Sequence, residues 1–247
     1  MEQKTNLITP VYHVAIDADF PPYSFVDDSK KQVGFDIDLI EQIAQQEGFK
    51  VKIQPIAWDS LVKTLPSGTH DIVLGGIALS DIEDIQLQQK YLISIPYNYG
   101  KDTIVVKKTV NNIHTINDLS GKKVVVGKDS IYAKELKNLL QPNTQLIEVP
   151  SDIDLLKTVA TGQADAGVGS RNTLRYYLNQ NPNYPLTLTG NGSYFDSPFP
   201  LVILIKNDNP KLTNQINKGI KTLIQNGKYT QMYQKWFGVE PDIMPAK

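Results

Sequence analysis

Cysteine is absent from this chain of 247 residues. That excludes disulfides, thiolate metal sites and cysteine nucleophiles, and leaves the redox compartment undecided. Arginine is nearly absent, since Arg171 and Arg175 are the only two, and the guanidinium is the side chain suited to bidentate carboxylate binding. No apolar run approaches the ~18 residues that a membrane-spanning helix requires. The N-terminal MEQKTNLITPVY lacks the charged-then-apolar pattern of an export signal, so any such signal is expected to have been removed already. Charge of one sign is also missing: the net charge is −1, without a basic stripe, which argues against a nucleic-acid partner. The three histidines, His13, His70 and His114, stand alone without ligand spacing. No metal, no cofactor, no Ser-His-Asp set and no phosphate loop is therefore expected.

What is present is ordinary globular composition, 40% hydrophobic and 21% charged, long enough for one large or two modest cores. Strand and helix signals alternate. YHVAID reads as a strand followed by the turn-rich ADFPPYSF, and FDIDLIEQIAQQEGF has helical apolar spacing that stops at Gly48. VKIQPIAW and HDIVLGGI read as strands around the short helix WDSLVKTLPSG. After them come the strand DTIVVKK, the mixed segment INDLSGKKVVVGK and the helices SIYAKELKNLL and SDIDLLKTVATG. QADAGVG then enters the helix RNTLRYYLNQ, and PLVILIKND precedes two helices ending at WFG. Such alternation predicts α/β architecture with parallel sheets covered by helices, whose ligands bind beyond the carboxyl ends of strands.

KDTIVVKK and PLTLTGNGSYFDSPF read as two crossings between halves. The expected division is a discontinuous first lobe, 1–101 with 192–247, and an inserted second lobe, 102–191. One stretch stands out as a binding element: VLGGIALSD, residues 73–81. Its glycines at a strand end suggest close approach to the backbone, and its Ser-Asp is a good helix N-cap, where a negatively charged guest is favoured.

The chain resembles the bacterial extracellular solute-binding proteins of family 3, the polar amino acid receptors of ABC importers. The resemblance rests on VAIDADFPPYSFVDD, VGFDIDLIEQIAQQEGF, IAWDSLVKTLPSGTHDIVLGGIALS, SIPYNYG, LSGKKVVVGKDSIYAKEL, ATGQADAGVGS and IQNGKYTQMYQKWFG, in order over nearly the whole chain. It implies a two-lobe periplasmic-binding-protein clamshell (type II), each lobe a sheet flanked by helices, joined by two hinge crossings. It also implies a small-molecule ligand, a membrane permease as partner, a monomer, and a periplasmic or cell-surface location.

Carried over residue by residue, the resemblance places Asp17 and Phe20 at the ligand's distal end and lid, with Trp58 as a second aromatic. Packing in a core is the plain alternative for both rings. Gly75, Gly76, Ile77 and Ala78 would present backbone groups to an ammonium or carboxylate, and Ser80 a hydroxyl. The amino-acid clamp is where the chain departs. Leu87, or Glu83 by a different count, stands on the arginine's place. KDSIY supplies Lys128, Asp129, Ser130 and Ile131 at the hydroxyl turn, and Ser170 replaces the ammonium-binding aspartate. Arg171 or Lys128 is then the candidate cation for a carboxylate, against the alternative of solvated surface residues. A cyclohexadienyl-dehydratase-like enzyme is the minor alternative, with Glu83, Asp84 and Asp129 as available acids. A ligand-sensing domain of a signalling system is the other.

Overall fold

YHVAID forms the first strand of a computed structural model that describes residues 9–82, 91–128, 130–190 and 197–245. The chain divides into two units, 1–99 with 200–247 and 100–199. The sequence placed the divisions at 101/102 and 191/192; residues 191–196, within the second crossing, lie outside the described residues.

In the first unit β1 (Val11–Asp17) is followed by the two-residue strands β2 (Phe25–Val26) and β3 (Gln32–Val33) and then by helix α1 (Phe35–Glu47). Next come β4 (Lys50–Ile56), the single turn α2 (Trp58–Leu61), β5 (Ile72–Leu74) and β6 (Tyr91–Ile93). β7 (Asn98–Gly100) begins the crossing. α1 starts after Gly34, whose Cβ, if present, would lie 2.1 Å from the Tyr23 carbonyl oxygen. It ends at Gly48 in the left-handed region, φ 75°, whose N–H donates to the Ala44 carbonyl.

The second unit runs through β8 (Asp102–Lys107), β9 (Lys123–Gly127), α3 (Ile131–Leu139), β10 (Gln145–Val149), α4 (Asp152–Ala160), β11 (Ala166–Ser170), α5 (Arg171–Gln180) and β12 (Leu186–Thr189). β13 (Phe199–Leu201) is the return crossing and pairs with β7. β14 (Leu204–Lys206), α6 (Pro210–Gln225) and α7 (Lys228–Phe237) complete the first unit. α6 is capped by Asn209, whose side chain accepts from the Leu212 N–H, and has Pro210 at its first position. Gly219 of α6 lets that helix approach α1, because a Cβ there would lie 2.7 Å from Ile43.

Each unit contains one five-stranded sheet, ordered β4-β1-β5-β14-β6 and β10-β9-β11-β8-β12. β1 is parallel to β4 and β5, and β9 to β10 and β11. The expectation of purely parallel sheets needs correction. β14 runs antiparallel to β5 and β6, and β8 to β11 and β12. These are the strands that enter a unit from the other, so they arrive in the opposite direction without a covering crossover helix. QLIEV, unread in the sequence, is the edge strand β10; its Gln145 and Glu148 are exposed and the pattern is too weak to signal a buried strand.

Both faces of the second sheet are covered, which explains its near-continuous valine runs. Ile104, Val106, Val124, Val126 and Val168 pack with Leu136 of α3. Val105 and Val125 face Leu155, Leu156 and Val159 of α4, and Leu174 of α5.

Candidate functional site

The order β4-β1-β5 brings three carboxyl ends together in the first unit. Asp17 closes β1, opposite Ile56 at the end of β4, and Trp58 follows two residues beyond Ile56. Gly75 leaves β5 so close to Asp17 that a Cβ on it would lie 2.9 Å from the Asp17 Cβ. Asp17 is half-buried, and burial pushes its carboxyl up, reinforced by the charge of Asp19 and opposed by the Asp19 N–H. Phe20 stacks on the fully buried Tyr23, ring centroids 4.8 Å apart and 6° from parallel. Its edge lies against Gly76, at φ 67°, where a Cβ would meet Phe20 Cε1 at 2.4 Å. Trp58 is 44% exposed. A strand-end acid and two rings therefore gather at one edge of this unit.

The glycine segment is partly occupied by the protein itself. The Gly76 N–H donates to the Tyr97 hydroxyl at 3.3 Å, and that hydroxyl donates to Asp36 Oδ2 at 3.1 Å. The Ile77 carbonyl accepts from the Val202 N–H at 3.0 Å, and Ala78 bridges Leu201. The side chains of Ile77 and Ala78 are buried. Ser80 is exposed and lies in a 3₁₀ turn, Leu79–Ile82; the helix that the sequence expects after it falls on residues outside the described ones. Glu83, Asp84 and Leu87 lie outside the described residues, as does Asp129.

Beneath Gly76 lies Asp36, fully buried and pushed up to about 8 by burial, with the Asp17 charge adding to the shift and the Tyr97 and Gly76 hydrogen bonds opposing it. Its Oδ1 has no hydrogen-bond partner. Burial and the neighbouring Asp36 raise the Tyr97 hydroxyl well above its ordinary value.

In the second unit the order β9-β11-β8 assembles another edge. Ser130 caps α3: its hydroxyl accepts from the Ala133 N–H at 3.2 Å and donates to the Gly127 carbonyl at 2.6 Å. That hydroxyl is committed to the turn before any guest arrives. Ile131 is 43% exposed at the first helical position, and Lys128 is exposed. Ser170 ends β11 and precedes α5, though its side chain does not cap the helix. The Arg171 N–H donates to the Lys101 carbonyl at 2.9 Å, while its side-chain Nε is buried with no hydrogen-bond partner.

Asp102, which the sequence offered only as the first residue of a strand, stands directly opposite Ser170 across the antiparallel ladder. The Tyr132 hydroxyl of α3 donates to its Oδ1 at 2.8 Å. Burial pushes Asp102 up to about 6; the Tyr132 bond lowers it and the charge of Glu135 raises it. The available signal was an acid heading the apolar run DTIVVK. Among the described residues no group of three or more His, Cys, Asp or Glu is placed to hold a metal. An open depression of about 440 Å³ on α6, beside Ile95, Asn217 and Lys221, contains none of the expected residues.

The chain is similar to known proteins over most of its length. The family model of bacterial extracellular solute-binding proteins, family 3, matches residues 12–239. The L-cystine-binding protein TcyJ of Escherichia coli (strain K12) is 28% identical over 231 residues, covering 92% of this chain and 82% of that protein. An ancestral arginine-binding protein bound to arginine superimposes with a TM-score of 0.73 at 31% identity, covering 92% of this chain and 98% of the other. The ancestral amino acid-binding protein AncCDT-1, a precursor of cyclohexadienyl dehydratase, gives 0.72 at 29% identity, over 92% and 95%.

Proposed function

The chain belongs to the bacterial extracellular solute-binding proteins of family 3, and from that premise we propose that it captures an amino acid or close analogue outside the cytoplasmic membrane for an ABC importer. It acts as a monomer, free or anchored, and hands its solute unchanged to a membrane permease. The observation that carries this reading is the first unit's strand-end edge. Trp58 exposes 44% of its surface just after Ile56, the residue paired with Asp17, and a large aromatic left in water gains about 25 cal/mol for every Å² that a guest covers.

The second unit has its own candidate for a charged contact. Arg171 receives the carboxylate: its Nε is buried and unpartnered, so a carboxylate there satisfies a group that otherwise costs ~1–3 kcal/mol. Lys128 is exposed and already hydrated, which makes it the weaker candidate. Capture is binding without turnover, and it moves the units about the crossings near 101–104 and 187–193.

A thermal-shift panel of the common L-amino acids, L-cystine and unrelated small metabolites tests this. A solute at a thousand times its dissociation constant adds about 4 kcal/mol of stability, or roughly 8–16 °C for a chain of this size. At least one amino acid should give that shift, should be recovered chemically unchanged, and should lose its effect in Arg171→Ala. Shifts from unrelated metabolites only, or recovery of an altered compound, overturn the reading. Small-angle scattering with and without the solute tests the motion; identical profiles exclude it.

A further inference from the structure

We propose that Asp102, held by Tyr132 and standing opposite Ser170, is the residue that receives the ammonium group of the solute. The inference rests on the amino-acid reading above and names the one charged contact that reading leaves open. Cross-strand partners in an antiparallel ladder project to the same face with Cβ atoms about 5 Å apart. Asp102 and Ser170 are such a pair, at the edge where β11 gives way to α5. A carboxylate and a small hydroxyl thus share one face, and the serine leaves room beside the acid.

The carboxylate is aimed, not loose. The Tyr132 hydroxyl fixes Oδ1 at 2.8 Å from the first turn of α3. Among the described residues no basic side chain forms an ion pair with Asp102, and the charge that acts on it is another acid, Glu135. A half-buried anion without a cation is costly to keep. A visiting ammonium removes that cost, and the site stays largely ionised at neutral pH because its carboxyl is pushed up only to about 6. Serine at 170 follows from the same electrostatics, since two carboxylates directly opposite each other repel. Arg171, one residue on from Ser170, is the candidate for the solute's carboxylate, and its backbone N–H is tied to Lys101, the residue before Asp102.

Asp102→Asn is the discriminating variant. It keeps the side chain's shape and an oxygen for Tyr132, and removes only the charge. Binding of L-arginine, L-glutamine and L-cystine is measured by calorimetry, each beside its Nα-acetyl derivative, from pH 5 to 8. The expected result is that an amino acid which binds the natural chain binds Asp102→Asn about 30-fold more weakly or worse, while the melting temperature holds or rises. Its acetyl derivative, lacking the ammonium, binds the natural chain as weakly. Affinity in the natural chain falls as pH drops through about 6 and is flat in the variant. The groups around Asp102 that bear on this profile are Tyr132 and Glu135 on α3, Arg171 on α5 and the adjacent Lys101. Tyr132→Phe, which frees the carboxylate without removing it, should cost a few-fold and serves if Asp102→Asn fails to fold. Equal affinity in Asp102→Asn, or equal binding of the acetyl derivative, overturns the role of Asp102 and leaves the amino-acid reading standing. No binding of L-cystine or any common L-amino acid to the natural chain overturns both.

Discussion

Tyr97 and Asp36 lie side by side in the core of the first unit, the tyrosine hydroxyl donating to the carboxyl oxygen at 3.1 Å, both residues closed off from solvent. A carboxylate is unstable in such a place, and the protein keeps Asp36 in its neutral form up to about pH 8. The pair also holds the Gly76 N–H from below. An ionisable group thus fixes the backbone on which Phe20 rests.

Asp36 sets a direction for stability against pH. Its folded value, about 8, lies above its ordinary 3.8, so the folded chain holds the proton more tightly than the unfolded one. Stability contributed by this group is complete below about pH 4 and is lost as pH rises toward 8. Asp36→Asn should therefore match the natural chain below about pH 4 and exceed it at pH 9, by an amount on the order of a few kcal/mol. Urea denaturation across this range reads the difference; a constant gap at every pH would contradict the assignment.

Gly76→Ala should cost about 1–3 kcal/mol. The left-handed φ of 67° disfavours any side chain, and the new methyl would sit 2.4 Å from the Phe20 ring. The ring must swing off Tyr23, so solute affinity should fall with stability. A variant as stable as the natural chain would show that the segment relaxes freely.

Trp58→Ala should separate the two properties. With nearly half its surface in solvent, the side chain contributes less than ~1 kcal/mol to the fold, whereas solute binding should weaken by at least ~1 kcal/mol. Unchanged affinity in a folded variant returns Trp58 to a packing role.

Ser170→Asp places an acid opposite Asp102. Like charges across a ladder destabilise by up to ~1 kcal/mol, and the loss should be present at pH 8 and shrink at pH 5, where Asp102, at about 6, takes up a proton. Thermal melts at the two pH values measure it. A loss independent of pH would point to steric crowding.

The local signals were legible. The apolar spacing of α1, the Gly48 stop, the Asn209-Pro210 start of α6 and the valine runs of β8 and β9 all appear where the sequence places them. What escaped depends on partners distant in the chain. The sequence offers the Ile77 backbone to a guest because nothing local reveals that its carbonyl already accepts from the Val202 N–H. The strand that ends at Ser170 carries no acid at its end, and nothing in the sequence reveals that Asp102 stands opposite it on the neighbouring strand. Direction of pairing was equally hidden: DTIVVK reads the same whether its neighbours run with it or against it.

The place of β14 governs the order in which this protein can be made. β14 lies between β5 and β6 and hydrogen-bonds to both, yet it is synthesised after the whole of residues 100–199. A nascent chain emerging from its N-terminus therefore carries an unfinished sheet, lacking the strand that links β5 to β6, until residue 206 is free. The inserted unit has no such debt and can complete its own core first. Order of synthesis thus lets the middle of the sequence complete its sheet before the sheet of the flanking segments can close.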